Sequence, residues 1–200
     1  MNPKYPETLN ALIAHLKKFP GVGLRTAERF AFELIRWKPE ALREFGAVLA
    51  AVPVQVIRCS VCGCLTQEGA CRFCDLTVRD PSALCILSSP RDAYALEETR
   101  SFRGLYHVIE HLLSPLDGRH AQSLRIDRIE ERLARHPIKE VILAFDSTLE
   151  GDATALFLKQ ELSKHSVVIS RLAFGIPMGS SLEYIDSGTL SKAFSGRQGV

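Results

Sequence analysis

No apolar run in this sequence approaches the roughly 20 residues needed to cross a bilayer. The opening residues, MNPKYPETLN, lack the charged-then-apolar order of a secretory leader. Both absences set the expectation of a cytoplasmic chain with no membrane partner. There is no internal repeat and no low-complexity tract, so solenoids and disordered linkers are excluded as the main architecture. The pattern GxxxxGK[ST] is missing, which removes a P-loop phosphate cradle and leaves no expectation of ATP hydrolysis by this chain alone. No His-x-Glu lies upstream of the cysteine-rich stretch, so a deaminase-type catalytic zinc has no support.

Charge of one sign is also scarce, with a formal net charge of only +2. Its distribution is uneven. Residues 1 to 45 hold eight Lys or Arg against five Glu, and the rest of the chain holds 17 basic against 18 acidic residues. A basic front end marks where an anion would dock. There, Leu9, Leu12, Ile13 and Leu16 recur at helical spacing, and Ala27, Phe30, Ala31, Leu34 and Ile35 repeat the pattern after Pro20-Gly21-Val22-Gly23. A third helix is predicted from about Pro39 to Ala50, ended by Pro53. The VQVI that follows predicts a short strand, and Arg79-Asp80-Pro81-Ser82 a boundary.

Two glycines in three residues, Gly21 and Gly23, let the backbone turn tightly between the first two helices and approach a ligand. The unpaired N–H groups that open the second helix suit a phosphate oxygen. Arg25 and Arg29, four apart on that helix, can both reach a backbone phosphate, while Val22 can pin the hairpin to the core. The stretch LKKFPGVGLRTAERFAFEL resembles the helix-hairpin-helix motif, a sequence-nonspecific DNA-binding device. A plain helical connection closed by glycines is the alternative. Lys17 and Lys18 are weaker DNA-binding candidates, since a lysine pair is usually a solvated face.

Five of the six cysteines fall in CSVCGCLTQEGACRFC. Cysteines paired as CxxC in a cytosolic chain read as metal ligands before disulfides. Cys59 with Cys62 and Cys71 with Cys74 form two such knuckles, and four thiolates make a closed tetrahedral zinc site with no vacancy for chemistry. The expected cofactor is therefore one structural Zn²⁺ per chain. Cys64 could also ligate through its CxC spacing, but it would break the symmetry of the two knuckles and is read as incidental. Cys85 lies in an apolar run and reads as a small buried hydrophobe. Sitting between the helical front and the rest of the chain, the metal is expected to set those two parts against each other.

Beyond residue 83 the texture changes. LCIL, LYHVI, EVILAF and SVVISRLAF are short apolar runs suited to buried strands, and DAYALEETR, LRIDRIEERLARH and DATALFLKQELSKH are helical patterns between them. Such alternation predicts an α/β layer with a largely parallel sheet. The Gly- and Ser-rich tail from Gly175 predicts a short terminal helix.

The order of hairpin, four-cysteine site and α/β region, with the strings PGVGLRTAERFAF, CSVCG, CRFC, SPRDAYALE, FRGLYHVI, LSPLDG, LEGDATALFL, SRLAFGIPMGSSLEY and TLSKAFSGRQ, resembles the bacterial recombination mediator family RecR over nearly the whole chain. The resemblance implies an α+β multi-module fold: a helix-hairpin-helix region at 1–54, a four-cysteine zinc finger at 55–80, an α/β Toprim domain at 81–175, and an oligomerising tail at 176–200 with a Walker-B-like strand and a helix. It further implies a non-enzymatic mediator of recombinational DNA repair that closes as a homotetrameric ring on DNA. Its implied partners are RecO and RecF, with which it helps load RecA at gapped or single-stranded DNA.

Two departures from the family pattern bear on chemistry. Ser88 stands where these proteins commonly carry a Toprim Glu, and DSTLEGDAT supplies Glu150 and Asp152 without Asp-x-Asp. Those two carboxylates are candidates for weak Mg²⁺ binding or for contact with a basic partner such as RecO, or they simply favour a helix N-terminus. The segment after LSPLDG, RHAQSL, replaces the family's Gly-Ile-Gly-Pro. In SLEYID the hydrophobic run plus Asp reads as Walker-B-like or as an ordinary edge strand. The alternative function, a metal-dependent Toprim nuclease or primase-like enzyme, would use Asp152.

Overall fold

The computed structural model describes residues 4–67, 71–173 and 175–197. Parts of the cysteine stretch (68–70), Phe174 in SVVISRLAF and the last three residues of the tail lie outside the described residues. The chain divides into two compact units, one ending at Gln55 and the other beginning at Val56.

The first unit is helical: α1 (Glu7–Leu16), α2 (Leu24–Ile35) and α3 (Pro39–Gln55). Its core is small. Ile13, Ala27 and Ala31 are buried, and Tyr5, Leu9, Leu12, Leu16 and Val22 pack around them. Helix α3 has no buried residue and continues through Pro53 to Gln55, so Pro53 does not end it as predicted. The proline removes one hydrogen bond in the last turn, where residues 52–55 face water that can take its place.

The second unit holds a two-stranded antiparallel ribbon, β1 (Ile57–Arg58) with β2 (Leu65–Thr66), and a four-stranded sheet in the order β4-β3-β5-β6. Its strands are β3 (Asp80–Leu87), β4 (Gly104–Val108), β5 (Glu140–Ala144) and β6 (Val168–Arg171), all paired in parallel. Helices α4 (Pro90–Thr99), α5 (Ile126–Arg135), α6 (Leu149–Leu162) and α7 (Ser187–Ser195) complete it. Of the strand predicted at VQVI only Ile57 is in β1, since Val54 and Gln55 belong to α3. At the predicted boundary of 79–82, β3 starts at Asp80, whose N–H donates to the Arg103 carbonyl at 2.9 Å.

Period-two alternation gives the sheet two apolar faces. On one, Leu84, Ile86, Leu105, Ile109, Val141 and Leu143 meet Ile129 of α5 and Ala155, Leu158 and Leu162 of α6. On the other, Cys85, Leu87, Tyr106, Val108 and Ala144 meet Ala93 of α4 together with Cys62, Cys64 and Phe73 of the cysteine stretch. The cysteine module is thus part of the wall of the α/β unit. In the tail, the strand expected at LEYID is replaced by a 3-10 turn at Leu182–Tyr184. Asp186 does not end a strand either; its carboxylate caps α7, accepting from the Thr189 N–H at 2.9 Å.

Candidate metal centre and nucleic-acid interface

Each CxxC folds as a tight knuckle. Gly63 N–H donates to the Cys59 carbonyl at 2.9 Å and Cys74 N–H to the Cys71 carbonyl at 2.9 Å. Gly63 holds φ +74°, and a Cβ there would meet the Val108 carbonyl oxygen at 2.8 Å, so this position needs glycine twice over. Beside it, Val108 N–H donates to the Cys62 carbonyl at 2.7 Å, tying the first knuckle to edge strand β4.

The four predicted sulfurs converge, with the Sγ atoms of Cys59, Cys62, Cys71 and Cys74 all within 4.8 Å of one another. Cys59 and Cys74 are 3.9 Å apart and Cys62 and Cys71 3.6 Å. A tetrahedron of thiolates about 2.3 Å from zinc has S–S edges of about 3.8 Å, so the residues fit such an ion. Crowding makes the thiols unequal. The neighbouring thiols favour a thiolate at Cys62, while burial and the charge of Cys62 push the Cys71 thiol up. A bound dication would relieve that repulsion.

Cys64 is not incidental to the fold. It is fully buried in the core between the module and the sheet, and its carbonyl accepts from Cys59 N–H at 2.8 Å. Phe73, which sequence reasoning passed over, is also fully buried and meets Tyr94 and Tyr106 edge-on, each at 5.5 Å. Its position between two ligand cysteines was the available signal. The module is anchored at its far end by Arg79, whose guanidinium donates two 2.7 Å hydrogen bonds to Glu97.

In the first unit, Gly21 carries φ +75° and turns the chain out of α1, and Val22 packs against the small core. Gly23 takes the N-cap position of α2 without a side chain to cap it, and the first turn of α2 contains no acid. The first N–H groups of α2 are thus left for an outside acceptor. Arg25 and Arg29 are both exposed and line one recess with Arg36 and Tyr5. Glu28, between them, is occupied by Lys4 at 2.8 Å and so does little to cancel their charge. Lys17 and Lys18 are exposed just after α1.

The predicted carboxylates are not brought together as a metal site. Glu150 is exposed in the first turn of α6, whereas Asp152 is ion-paired to Arg171 of β6 at 2.7 Å and to Lys192 of α7 at 3.1 Å. These cations, Arg171 foremost, hold the Asp152 carboxyl below its usual range. Lys192 also donates to the Ser147 hydroxyl. Ser88 donates to Asp92 at 3.3 Å, the acid that also accepts from Ser89 N–H in the capping box that opens α4. Among the described residues the four cysteines form the one cluster of three or more potential metal ligands, so the expectation of Mg²⁺ has no structural support.

Comparison with known proteins accounts for nearly the whole chain. Residues 9–52 match the family description "RecR, helix-hairpin-helix", residues 82–173 "Toprim domain" and residues 175–198 "RecR, C-terminal". The chain is 54% identical over 194 residues to the recombination protein RecR of Protochlamydia amoebophila, covering 97% of this chain and 98% of that one. It belongs to the RecR family. Recombination protein RecR of Chlamydia abortus is 48% identical over 196 residues, again covering 97% and 98% of the two chains. That of Chlamydia trachomatis serovar D is 45% identical over the same length and shares. In this RecR-family chain the four-stranded sheet lies within the Toprim match, and Glu150 and Asp152 sit in the first turn of its helix α6.

Proposed function

We propose that this chain is a DNA-binding mediator of recombinational repair that closes as a tetrameric ring on DNA and works with RecO and RecF to help load RecA at gapped or single-stranded DNA. The observation that carries it is the uncapped start of α2, with Gly21 and Gly23 opening the backbone and Arg25 and Arg29 beside it. Phosphate oxygens accept from the free N–H groups, and the two guanidinium groups add sequence-independent attraction.

One hairpin gives few phosphate contacts and hence weak, salt-sensitive binding. A ring that presents four hairpins to one duplex converts them into a single multivalent site. Apolar surface supports assembly: Val48, Leu49, Val52 and Val54 of α3 are each about half exposed or more, at 48–77%. In the tail, Met178, Tyr184 and Phe194 are exposed as well. Patches of this kind mark protein contacts.

Zn²⁺ held by Cys59, Cys62, Cys71 and Cys74 supplies a cross-link, not chemistry, and keeps the cysteine module seated on the Toprim sheet. Asp152, engaged by two cations, is withdrawn from any Mg²⁺ role, which disfavours a nuclease or primase. It is likewise not a free acid for RecO, leaving Glu150 as the exposed candidate for that contact. Native mass measurement with and without a DNA duplex tests the assembly. A tetramer that retains the duplex is expected, and a monomer under both conditions refutes the clamp.

A further inference from the structure

The second unit contains a recess of about 190 Å³ walled by the first cysteine knuckle, the end of β4 and the start of α5. Arg58 reaches it from β1, Arg125 and Arg128 from α5 and the residue before it, and Glu110 is its one acid. Arg125 is ion-paired to Asp127 at 3.1 Å. The guanidinium groups of Arg58 and Arg128 have no partner among the described residues. Three cations from two separate segments therefore face one acid, with two of the cations unneutralised.

Two further features point to a missing ligand. His107 lines the recess at 4% exposure, and its Nδ1 is buried without a hydrogen-bond partner. A buried polar atom left unpaired in a native fold calls for an explanation. Arg125 holds the left-handed conformation, φ 51° and ψ 49°, at the N-cap of α5 without a capping side chain. Non-glycine residues in that region concentrate at functional sites, and the open end of α5 adds its dipole to the same recess.

We propose that this recess binds a phosphate group, held by Arg58 and Arg128 and closed on its inner side by His107. A volume of about 190 Å³ is below the roughly 300–1,000 Å³ of pockets that enclose whole small molecules, so it takes the phosphate and not an entire nucleotide. Charge-assisted hydrogen bonds from arginine forks are the strong, oxyanion-selective kind. The site is separate from the hairpin and does not depend on the role proposed for it.

The test uses the full chain carrying Arg25→Ala and Arg29→Ala, which removes the hairpin as a competing phosphate site. Thermal unfolding and titration calorimetry are run with inorganic phosphate against chloride at equal ionic strength. Phosphate-specific stabilisation is expected, and adding Arg58→Ala with Arg128→Ala should weaken binding roughly ten-fold or more, since two charged donors are lost. Circular dichroism and zinc content identify a variant that has simply misfolded. Arg58→Lys with Arg128→Lys then serves as the milder pair, expected to weaken phosphate binding while keeping the fold.

Short oligonucleotides that differ only in a 5′-phosphate or 5′-hydroxyl distinguish the source. Preference for the phosphorylated one assigns the site to nucleic-acid ends. Equal binding of the two, with inorganic phosphate still bound, assigns it to free phosphate. Absence of any phosphate-specific effect, or an unchanged effect in folded Arg58 and Arg128 variants, overturns the proposal.

Discussion

The carboxylate of Asp152 accepts a 2.7 Å contact from the guanidinium of Arg171, so the acid expected to hold a metal is already engaged within the fold. Lys192 adds a second cation from the tail helix. Mg²⁺ or Mn²⁺ should therefore produce no cutting of duplex or single-stranded DNA, as read on a gel. Lys192→Ala should cost less than about 1 kcal/mol, because the Asp152 and Lys192 side chains are each more than a third exposed and solvent screens the pair. Metal-dependent cutting that Asp152→Ala abolishes would restore the nuclease reading.

The part-buried ion pair of Arg79 and Glu97 gives a pH prediction. Arg79, first of the groups around it, holds the Glu97 carboxyl below its usual range, and Tyr106 Oη donates to the same acid at 2.8 Å. A carboxyl depressed on folding contributes stability that is present above its unfolded pKa of about 4.3 and is lost as pH falls through the lower folded value. Acid unfolding of the wild type should thus steepen below about pH 4. Glu97→Gln should unfold more easily at neutral pH, by on the order of 2–3 kcal/mol, because it leaves Arg79 nearly buried and without its counter-charge. The variant should also show less acid dependence in that range. Urea titrations at pH 7 and pH 3 read both effects, and equal stabilities for variant and wild type at pH 7 would contradict them.

The cysteines separate ligand from core. Cys74→Ala should lose bound zinc and, with it, the folded cysteine module, since metal binding and folding are one equilibrium in such modules. Cys64→Ala should keep one zinc per chain while losing about 1 kcal/mol or somewhat more of stability through a small cavity. Metal content by mass spectrometry and thermal melts check the pair. Zinc loss in Cys64→Ala would move that residue into the ligand set.

Much of this architecture was readable from residue order. The apolar runs LYHVI and EVILAF match β4 and β5 to within one residue and LCIL marks the second half of β3, whose start lies four residues earlier at Asp80, because strands covered on both faces read as continuous apolar runs. The two CxxC pairs named the four converging sulfurs through local geometry alone.

What escaped the sequence depends on contacts between distant residues. Nothing near Asp152 reveals that Lys192 reaches it from 40 positions away. Cys64 and Phe73 became core only once the module docked on Tyr106 and Val108 of β4. Pro53 was read as a stop, yet in the last turn its missing N–H costs a single exposed hydrogen bond. In SLEYID an apolar run ending in Asp looked like a strand, but no neighbouring strand among the described residues pairs with it, and Asp186 serves as a helix cap.

The most direct measurement is equilibrium binding of a labelled DNA duplex, at moderate salt, by wild type and by a chain carrying Arg25→Ala and Arg29→Ala. Native mass is recorded for both. The double variant should keep its oligomeric mass, bind at least about ten-fold more weakly, and show a shallower salt dependence by about two counterions per hairpin engaged. Unchanged affinity and salt slope in a correctly assembled double variant would contradict DNA capture by the hairpin.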